Sequence, residues 1–142
     1  MLEASRLFDI PHYQLKNYPN PNMFVTKTNG QWIGVSTAEF LDHAMRVSKG
    51  LFALGVKAGD NVALVSNTRY EWNVMDIAIQ QVGAIVVPLY PNISEGEYRY
   101  IMKDASIQLC VLSNEELFEK ISHIKGDVET LKHVYSFEVV SG

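Results

Sequence analysis

Residues 82–113 constrain the fold of this chain more than any other stretch of its sequence. They read VGAIVVPLYPNISEGEYRYIMKDASIQLCVLS, which is an apolar run, a loop bracketed by prolines, a short helical pattern and a second apolar run. Nearly continuous apolar runs are typical of parallel strands covered by helices on both faces. The stretch therefore predicts two buried parallel strands joined by a helix.

A recurring local pattern places the other helices. Ser or Thr followed three residues later by Glu has the form of a capping box, whose hydroxyl and carboxylate bond backbone N–H groups at a helix start. Each occurrence precedes apolar residues at helical spacing. The hydroxyl positions are Ser36, Thr68, Ser94 and Ser113. Strands are expected between these helices, at residues 62–66, 84–89, 107–112 and 133–139.

The first part of the chain predicts a helical lead-in and a β-hairpin. Residues 1–22 are expected to form a short helix or two, ended by the prolines at 19 and 21. Asn29-Gly30, flanked by apolar residues, favours a type I′ turn. Trp32 on this hairpin is expected to pack onto the core. Residues 23–142 then form the hairpin and βαβ units, so we predict an α/β fold with an open, mainly parallel sheet and helices on both faces.

Composition excludes several classes of function. The chain has 142 residues, 47% of them hydrophobic, which is enough for one domain with a real core. Its 12 basic and 16 acidic residues give a net charge of −4, and no run of Lys or Arg indicates a nucleic-acid groove. No apolar stretch approaches the ~20 residues that span a bilayer. The single cysteine, Cys110, lies in an apolar run and is expected to be a buried structural thiol, which fits a reducing, cytoplasmic compartment.

Ligands of open α/β sheets gather at the carboxyl ends of the strands. The loops expected there, at residues 66–69, 89–92 and 113–114, contain no glycine, so none can wrap a diphosphate. Arg69 could assist an anion at an exposed helix N-terminus, but plain capping is the favoured interpretation. No two histidines stand at metal-ligand spacing. We therefore predict no catalytic, cofactor-binding or metal-binding residue in this chain. Pro88, Tyr90 and Pro91 are candidates for the edge of a cleft, because they stand where a parallel strand leaves the sheet.

Three segments are specific in combination, namely VSTAEF at residues 35–40, GDNVAL at 59–64 and GAIVVPL at 83–89. In this order, behind a hairpin, they resemble the start of an AMP-forming acyl-CoA synthetase of the adenylate-forming superfamily. The similarity covers about residues 7–138.

Long-chain fatty-acid–CoA ligases resemble the chain most within that superfamily. Trp72 following Asn67, and the sequence Leu89-Tyr90-Pro91, suit that branch. The resemblance implies an ATP-dependent adenylation of a carboxylate, with Mg²⁺ at the phosphates, followed by transfer of the acyl group to CoA. It also implies that the phosphate loop, the adenine-binding segment and the catalytic Lys lie downstream of the matched region. No Ser/Thr-Gly-rich loop is found in this sequence.

The leading hypothesis is therefore that the chain is the N-terminal portion of a fatty-acid–CoA ligase, inactive by itself. Its partners would be the remainder of its own polypeptide, together with fatty acid, ATP and CoA for the longer enzyme. Exposed strand edges and apolar helix faces would favour self-association of the short chain. The longer enzyme is expected to be cytoplasmic, with at most peripheral contact with a membrane.

Two alternatives belong to other classes. One is a free-standing α/β binding or interaction module without catalysis. The reading frame distinguishes it from the leading hypothesis, because only the ligase is expected to continue into a Ser/Thr/Gly-rich loop that ends in Lys. The other is a small Rossmann-like nucleotide-binding protein, which is the weakest because no glycine loop follows any strand.

Overall fold

The computed structural model describes residues 4–140 of the chain. A 3₁₀ turn at Leu7–Asp9 precedes the first helix. The regular elements are, in chain order, α1 (Ile10–Asn17), β1 (Phe24–Thr28), β2 (Gln31–Val35), α2 (Thr37–Ala53), β3 (Asn61–Val65), α3 (Tyr70–Gln81), β4 (Ile85–Leu89), α4 (Glu95–Asp104), β5 (Leu109–Leu112), α5 (Glu115–Lys125) and β6 (His133–Ser136).

A four-stranded parallel sheet forms the centre of the molecule. Its strand order is β4-β3-β5-β6, and each neighbouring pair is parallel. Helices α2 and α3 cover one face and helices α4 and α5 cover the other. The predicted α/β class, with a hairpin ahead of an open parallel sheet, is confirmed.

The interior of the sheet follows from the apolar sequence of β3 and β5. Successive side chains of a strand point to opposite faces, so a strand covered on both sides must be apolar throughout. Val62 and Leu64 pack under α2 and α3, whereas Ala63 and Val65 pack under α4 and α5, and all four are fully buried. The sheet therefore has two apolar cores that meet at β3 and β5.

The hairpin β1–β2 turns as predicted. Asn29 and Gly30 have φ angles of +51° and +81°, which is the left-handed pair that a type I′ turn requires. The ring of Phe24 attaches the ribbon to the body, with its centroid 5.0 Å from that of Phe40 and 5.4 Å from that of Tyr70. The expectation for Trp32 was wrong. It is 70% exposed on the outer face of the ribbon, opposite Lys27, whose ammonium lies 5.6 Å from the ring centroid.

Two of the four predicted capping boxes are present. The hydroxyls of Ser36 and Ser94 each accept the backbone N–H three residues on, and the Glu at that position bonds the backbone N–H of the serine. The box predicted at Thr68 was wrong, because α3 begins one residue later, after Arg69, which has an extended backbone and no side-chain cap. The box predicted at Ser113 was wrong as well, since Asn114 caps α5 by accepting the N–H of Leu117.

Strand β4 lies at an edge of the sheet. Its neighbour on one side is β3, and Ile85 is 52% exposed. Helices still cover both of its faces, because Val86 packs in one core and Val87 in the other. A strand whose two faces are covered by helices is apolar both at the edge and in the interior of a sheet. The apolar pattern of β4 therefore does not distinguish an edge strand from an interior strand. Strand β6 lies at the opposite edge.

The helical lead-in is attached to α2 by hydrogen bonds. The backbone N–H of Thr37 donates to the carbonyl of Asn20 at 2.9 Å, and the N–H of Asn20 donates to Oγ1 of Thr37 at 3.2 Å. These bonds fix the chain just before the hairpin begins. Within residues 4–140, no helix is both long enough and apolar enough to cross a membrane.

Candidate functional site

The carboxyl ends of β3 and β5 lie at a topological switch point. The chain leaves β3 toward β4 on one side, and then returns from β4 to β5 on the other side of β3. The loops that follow these two strands diverge to opposite faces of the sheet and leave a gap between them. This is the position where open α/β sheets place ligands.

A crevice of about 1030 Å³, which we call the switch-point crevice, opens at this position between the loops and the hairpin. Strand β1 forms one wall, and the ends of β3 and β5 with the start of α3 form the floor. The lining residues are Phe24, Val25, Thr26, Lys27, Thr28, Ile33, Val35, Asn67, Thr68, Arg69, Tyr70, Glu71, Asn73, Ser113, Asn114 and Glu138. Its walls are mainly hydroxyl, amide and aromatic groups.

Arg69 lies on the floor of the crevice and is held by two carboxylates. Its Nε donates to Glu71 at 2.8 Å, and its Nη1 donates to Glu138 at 2.9 Å. The hydrogen bond to Glu71 is the main cause that raises the pKa of Arg69, and it also lowers the pKa of the Glu71 carboxyl. The guanidinium further lies 5.5 Å from the ring centroid of Phe137. Arg69 thus joins the start of α3 to the segment after β6, and its charge is already balanced.

Ser113 presents a buried hydroxyl without a partner at the same crevice. The residue is 4% exposed, and its Oγ has no hydrogen-bond partner among the described residues. Asn114 has taken over the capping role that the sequence assigned to Ser113. A buried unpaired hydroxyl is costly, so the crevice is polar but incompletely satisfied at this point.

The predicted cleft-edge residues lie at a second, smaller cavity of about 380 Å³, which we call the edge cleft. It opens beside the switch-point crevice, at the carboxyl ends of β3 and β4. Its lining residues are Ser66, Thr68, Trp72, Asn73, Pro88, Leu89 and Tyr90. Pro88 and Tyr90 are thus brought together with Trp72, whereas Pro91 is not part of the lining.

The loop that carries Tyr90 and Pro91 is held by a hydrogen bond from α4. The hydroxyl of Tyr98, which is fully buried in α4, donates to the carbonyl of Tyr90 at 2.7 Å. Burial raises the pKa of Tyr98 to about 12. The side chain of Tyr90 itself is 78% exposed, and its ring is free to contact a ligand.

Few residues in the described part of the chain could act as a general acid, a general base or a metal ligand. Residues 4–140 contain no group of three or more His, Cys, Asp and Glu side chains that could hold a metal ion. Burial raises the pKa of the Cys110 thiol to about 12, so it is a structural thiol, as predicted. His43 Nδ1 lies 2.6 Å from the Tyr70 hydroxyl, and burial raises the pKa of Tyr70 to about 12. This pair is a surface contact between α2 and α3.

Sequence reasoning missed the hairpin wall of the crevice and the role of Glu138. Both depend on contacts between distant segments, since Glu138 is 69 residues from Arg69. The only local signal was the alternation of β1, which places Phe24 and Thr26 on the face toward the body.

Comparisons with known proteins agree on one family. A family model described as AMP-binding enzyme matches residues 12–141. The long-chain-fatty-acid–CoA ligase FadD15 of Mycobacterium bovis is 34% identical over 106 residues, which cover 75% of this chain and 18% of the relative. The chain thus spans less than a fifth of the length of this relative.

Solved structures show the same fold. A long-chain-fatty-acid CoA ligase structure from Rhodopseudomonas palustris superposes with a TM-score of 0.80 at 21% identity, covering 96% of this chain and 33% of that one. The N-terminal domain of FACL13 from Mycobacterium tuberculosis, solved with an inhibitor bound, superposes with a TM-score of 0.68 at 21% identity, covering 73% of this chain and 27% of that one. At these identities the likeness concerns the fold alone.

Proposed function

The chain belongs to the AMP-binding enzyme family and matches the N-terminal part of long-chain fatty-acid–CoA ligases, and from this premise we propose that it forms the N-terminal portion of such a ligase. The longer enzyme would adenylate a fatty acid with ATP and then transfer the acyl group to CoA. The observation that carries the proposal is the 34% identity to a long-chain-fatty-acid–CoA ligase over 75% of this chain.

The chemistry of this reaction would lie in the remaining part of the longer polypeptide. Residues 4–140 contain no cluster of His, Cys, Asp and Glu side chains that could hold Mg²⁺. The loops after β3, β4 and β5 also lack the glycines of a phosphate cradle. The 142-residue chain by itself is therefore expected to be inactive.

The role of the described residues is to form sheet, helices and one wall of a cleft. We propose that Pro88, Tyr90 and Pro91 border the substrate cleft of the longer enzyme. In support, Pro88 and Tyr90 line the edge cleft, and the Tyr90 ring is exposed there. We also propose that residues 1–22 are a helical lead-in to one incomplete domain formed by residues 23–142.

The activity is tested with the longer polypeptide encoded by the reading frame beyond residue 142. It should release pyrophosphate and form an acyl-CoA when given ATP, Mg²⁺, CoA and hexadecanoate, whereas the short chain should do neither. A reading frame that stops without a Ser/Thr/Gly-rich loop ending in Lys would favour the free-standing binding module. Acyl-adenylate formation by the short chain would contradict the assignment of the chemistry to the remaining part.

Tyr90→Ala in the longer enzyme tests the cleft. We expect KM for one substrate to rise about fivefold, because an aromatic contact contributes about 1 kcal/mol. Tyr100→Ala is the matched control, since Tyr100 is 70% exposed on α4 and lies outside both cavities. Equal kinetic constants for the two variants would remove Tyr90 from the substrate cleft.

We propose a cytoplasmic location for the longer ligase, with at most peripheral contact with a membrane. The buried, unpaired thiol of Cys110 supports a reducing compartment. Fractionation of cells that express a tagged longer polypeptide tests this, and recovery in a membrane fraction that resists a salt wash would contradict it.

A further inference from the structure

The turn of the hairpin determines which backbone groups of β1 have no partner. The two-residue turn at Asn29-Gly30 pairs Thr28 with Gln31, so the N–H and C=O of Thr28 point toward β2. Hydrogen-bonding direction alternates along an antiparallel strand. The N–H and C=O groups of Val25 and Lys27 therefore point away from β2, toward the free edge of β1.

This free edge faces the switch-point crevice. All five residues of β1 line the crevice, whereas β2 contributes only Ile33 and Val35. The backbone groups of Val25 and Lys27 receive no hydrogen bond from outside the hairpin within residues 4–140. Four backbone hydrogen-bonding groups thus stand unpaired at the wall of a large cavity, in a ribbon of two strands, which is marginally stable by itself.

The open edge of β4 differs from that of β1 in the backbone groups that it offers to a further strand. The N–H of Ile85 donates to the carbonyl of Asp60 on the β3 side, so the groups of Val86 and Pro88 point outward. Proline has no N–H, and its position here removes a donor from the open edge. Strand β4 is thereby protected against strand addition, whereas β1 offers two donors and two acceptors.

The crevice has the size and chemistry for one extended polypeptide segment. A five-residue strand is about 17 Å long, and the cavity beside β1 measures about 1030 Å³. The charged side chains that line it, Lys27 and Arg69 against Glu71 and Glu138, balance in sign. Side chains on the inner face of an added strand would meet the hydroxyl and amide groups that line the floor, such as Asn67. These features fit an uncharged segment with hydroxyl or amide side chains on one face.

We propose that an extended segment from the remaining part of the longer polypeptide adds to the hairpin as a third strand, paired with Val25 and Lys27 in the switch-point crevice. The inference rests on the proposed function, because the chain spans only 18% of a ligase relative and the partner segment lies outside it. Backbone pairing gives such an interface its affinity, and the alternating side chains give it specificity.

Amide hydrogen exchange by NMR tests the pairing in both forms of the protein. In the short chain, the amides of Val25 and Lys27 should exchange freely, whereas those of Thr26 and Thr28 should be protected by the hairpin. In the longer polypeptide, exchange at Val25 and Lys27 should slow by roughly tenfold or more, the effect of one net hydrogen bond. Free exchange at both positions in a folded, active ligase would overturn the inference and leave the proposed function intact. Absence of any ligase activity would count against the proposed function instead.

A proline substitution gives the second test. Lys27→Pro removes one outward N–H, so it should lower Tm clearly more in the longer polypeptide than in the short chain. Thr26→Pro removes an N–H bonded to β2 and should lower Tm in both forms. Lys27→Ala is the control, because it removes the side chain but keeps the N–H, and so it measures the effect of the side chain alone. An equal loss of Tm from Lys27→Pro in the two forms would contradict strand addition at this edge.

Discussion

The sheet interior and the switch-point crevice contrast within one small molecule. Strands β3 and β5 are buried, and helices cover both of their faces. The hairpin wall of the crevice keeps Val25 at 49% and Ile33 at 51% exposure, and the crevice floor holds an unpaired hydroxyl at Ser113. The difference indicates that the two central strands are fully packed among the described residues, whereas the crevice side still holds exposed apolar side chains and an unpaired hydroxyl.

The largest expected effect comes from the sheet interior. Leu64→Ala should lower the free energy of unfolding by about 3 kcal/mol, because it leaves a cavity in a fully packed core. Urea denaturation followed by circular dichroism measures the loss. Val25→Ala on the hairpin is the control, and it should cost less than about 0.5 kcal/mol, since Val25 is 49% exposed. Similar costs at the two positions would remove the contrast.

The next effect concerns the anchor of the hairpin. Phe24→Ala should lower the free energy of unfolding by about 2 kcal/mol, since its half-buried ring packs on Phe40 and Tyr70. Hydrogen exchange should show a loss of protection at Thr26 and Thr28, with β3 unchanged. Equal loss of protection in β3 would show that the hairpin and the sheet unfold as one unit.

The ion pairs on the crevice floor are expected to contribute less. Arg69→Gln should lower the free energy of unfolding by about 1.5 kcal/mol at pH 7, a charged hydrogen-bond contribution reduced by solvent screening. The pKa of Glu71 is lowered in the fold, so its share is present above the ordinary glutamate range and is lost as pH falls through the lowered pKa. The two proteins should therefore converge in acid. Arg46→Gln, which removes an exposed pair with Asp42, is the control and should have little effect.

The smallest effect is expected at Ser113. Ser113→Ala removes a hydroxyl without a partner and should change the free energy of unfolding of the short chain by less than about 0.5 kcal/mol. Ser94→Ala removes a helix cap and should cost about 1 kcal/mol. Thermal denaturation of both variants compares the two serines. A cost at Ser113 equal to that at Ser94 would mean that its hydroxyl is already satisfied within this chain.

Local chemistry made a large part of the fold predictable. The Asn29-Gly30 turn and the boxes at Ser36 and Ser94 depend on residues at most three positions apart, so the sequence contains everything they need. Alternation of apolar strands and helical patterns then leaves few topologies, because parallel crossovers are right-handed. The order of β4, β3 and β5 in the sheet cannot be predicted in this way, because the apolar runs of the three strands are alike.

The candidate sites were less predictable, because they depend on contacts between distant segments. The prediction for Pro88 and Tyr90 rested on their position at the end of a strand, and both line the edge cleft. The bond between Arg69 and Glu138 and the approach of the hairpin to Ser113 depend on how separate elements pack. No spacing in the sequence carries that information.

The proline in β4 has a consequence for biosynthesis. Synthesis runs from the N-terminus, so an N-terminal portion of a ligase leaves the ribosome before its partner segments exist. During that interval an apolar edge strand could recruit the same strand of a neighbouring nascent chain. Pro88 stands on this edge without a backbone N–H, so a neighbouring strand would find one hydrogen-bond donor fewer there.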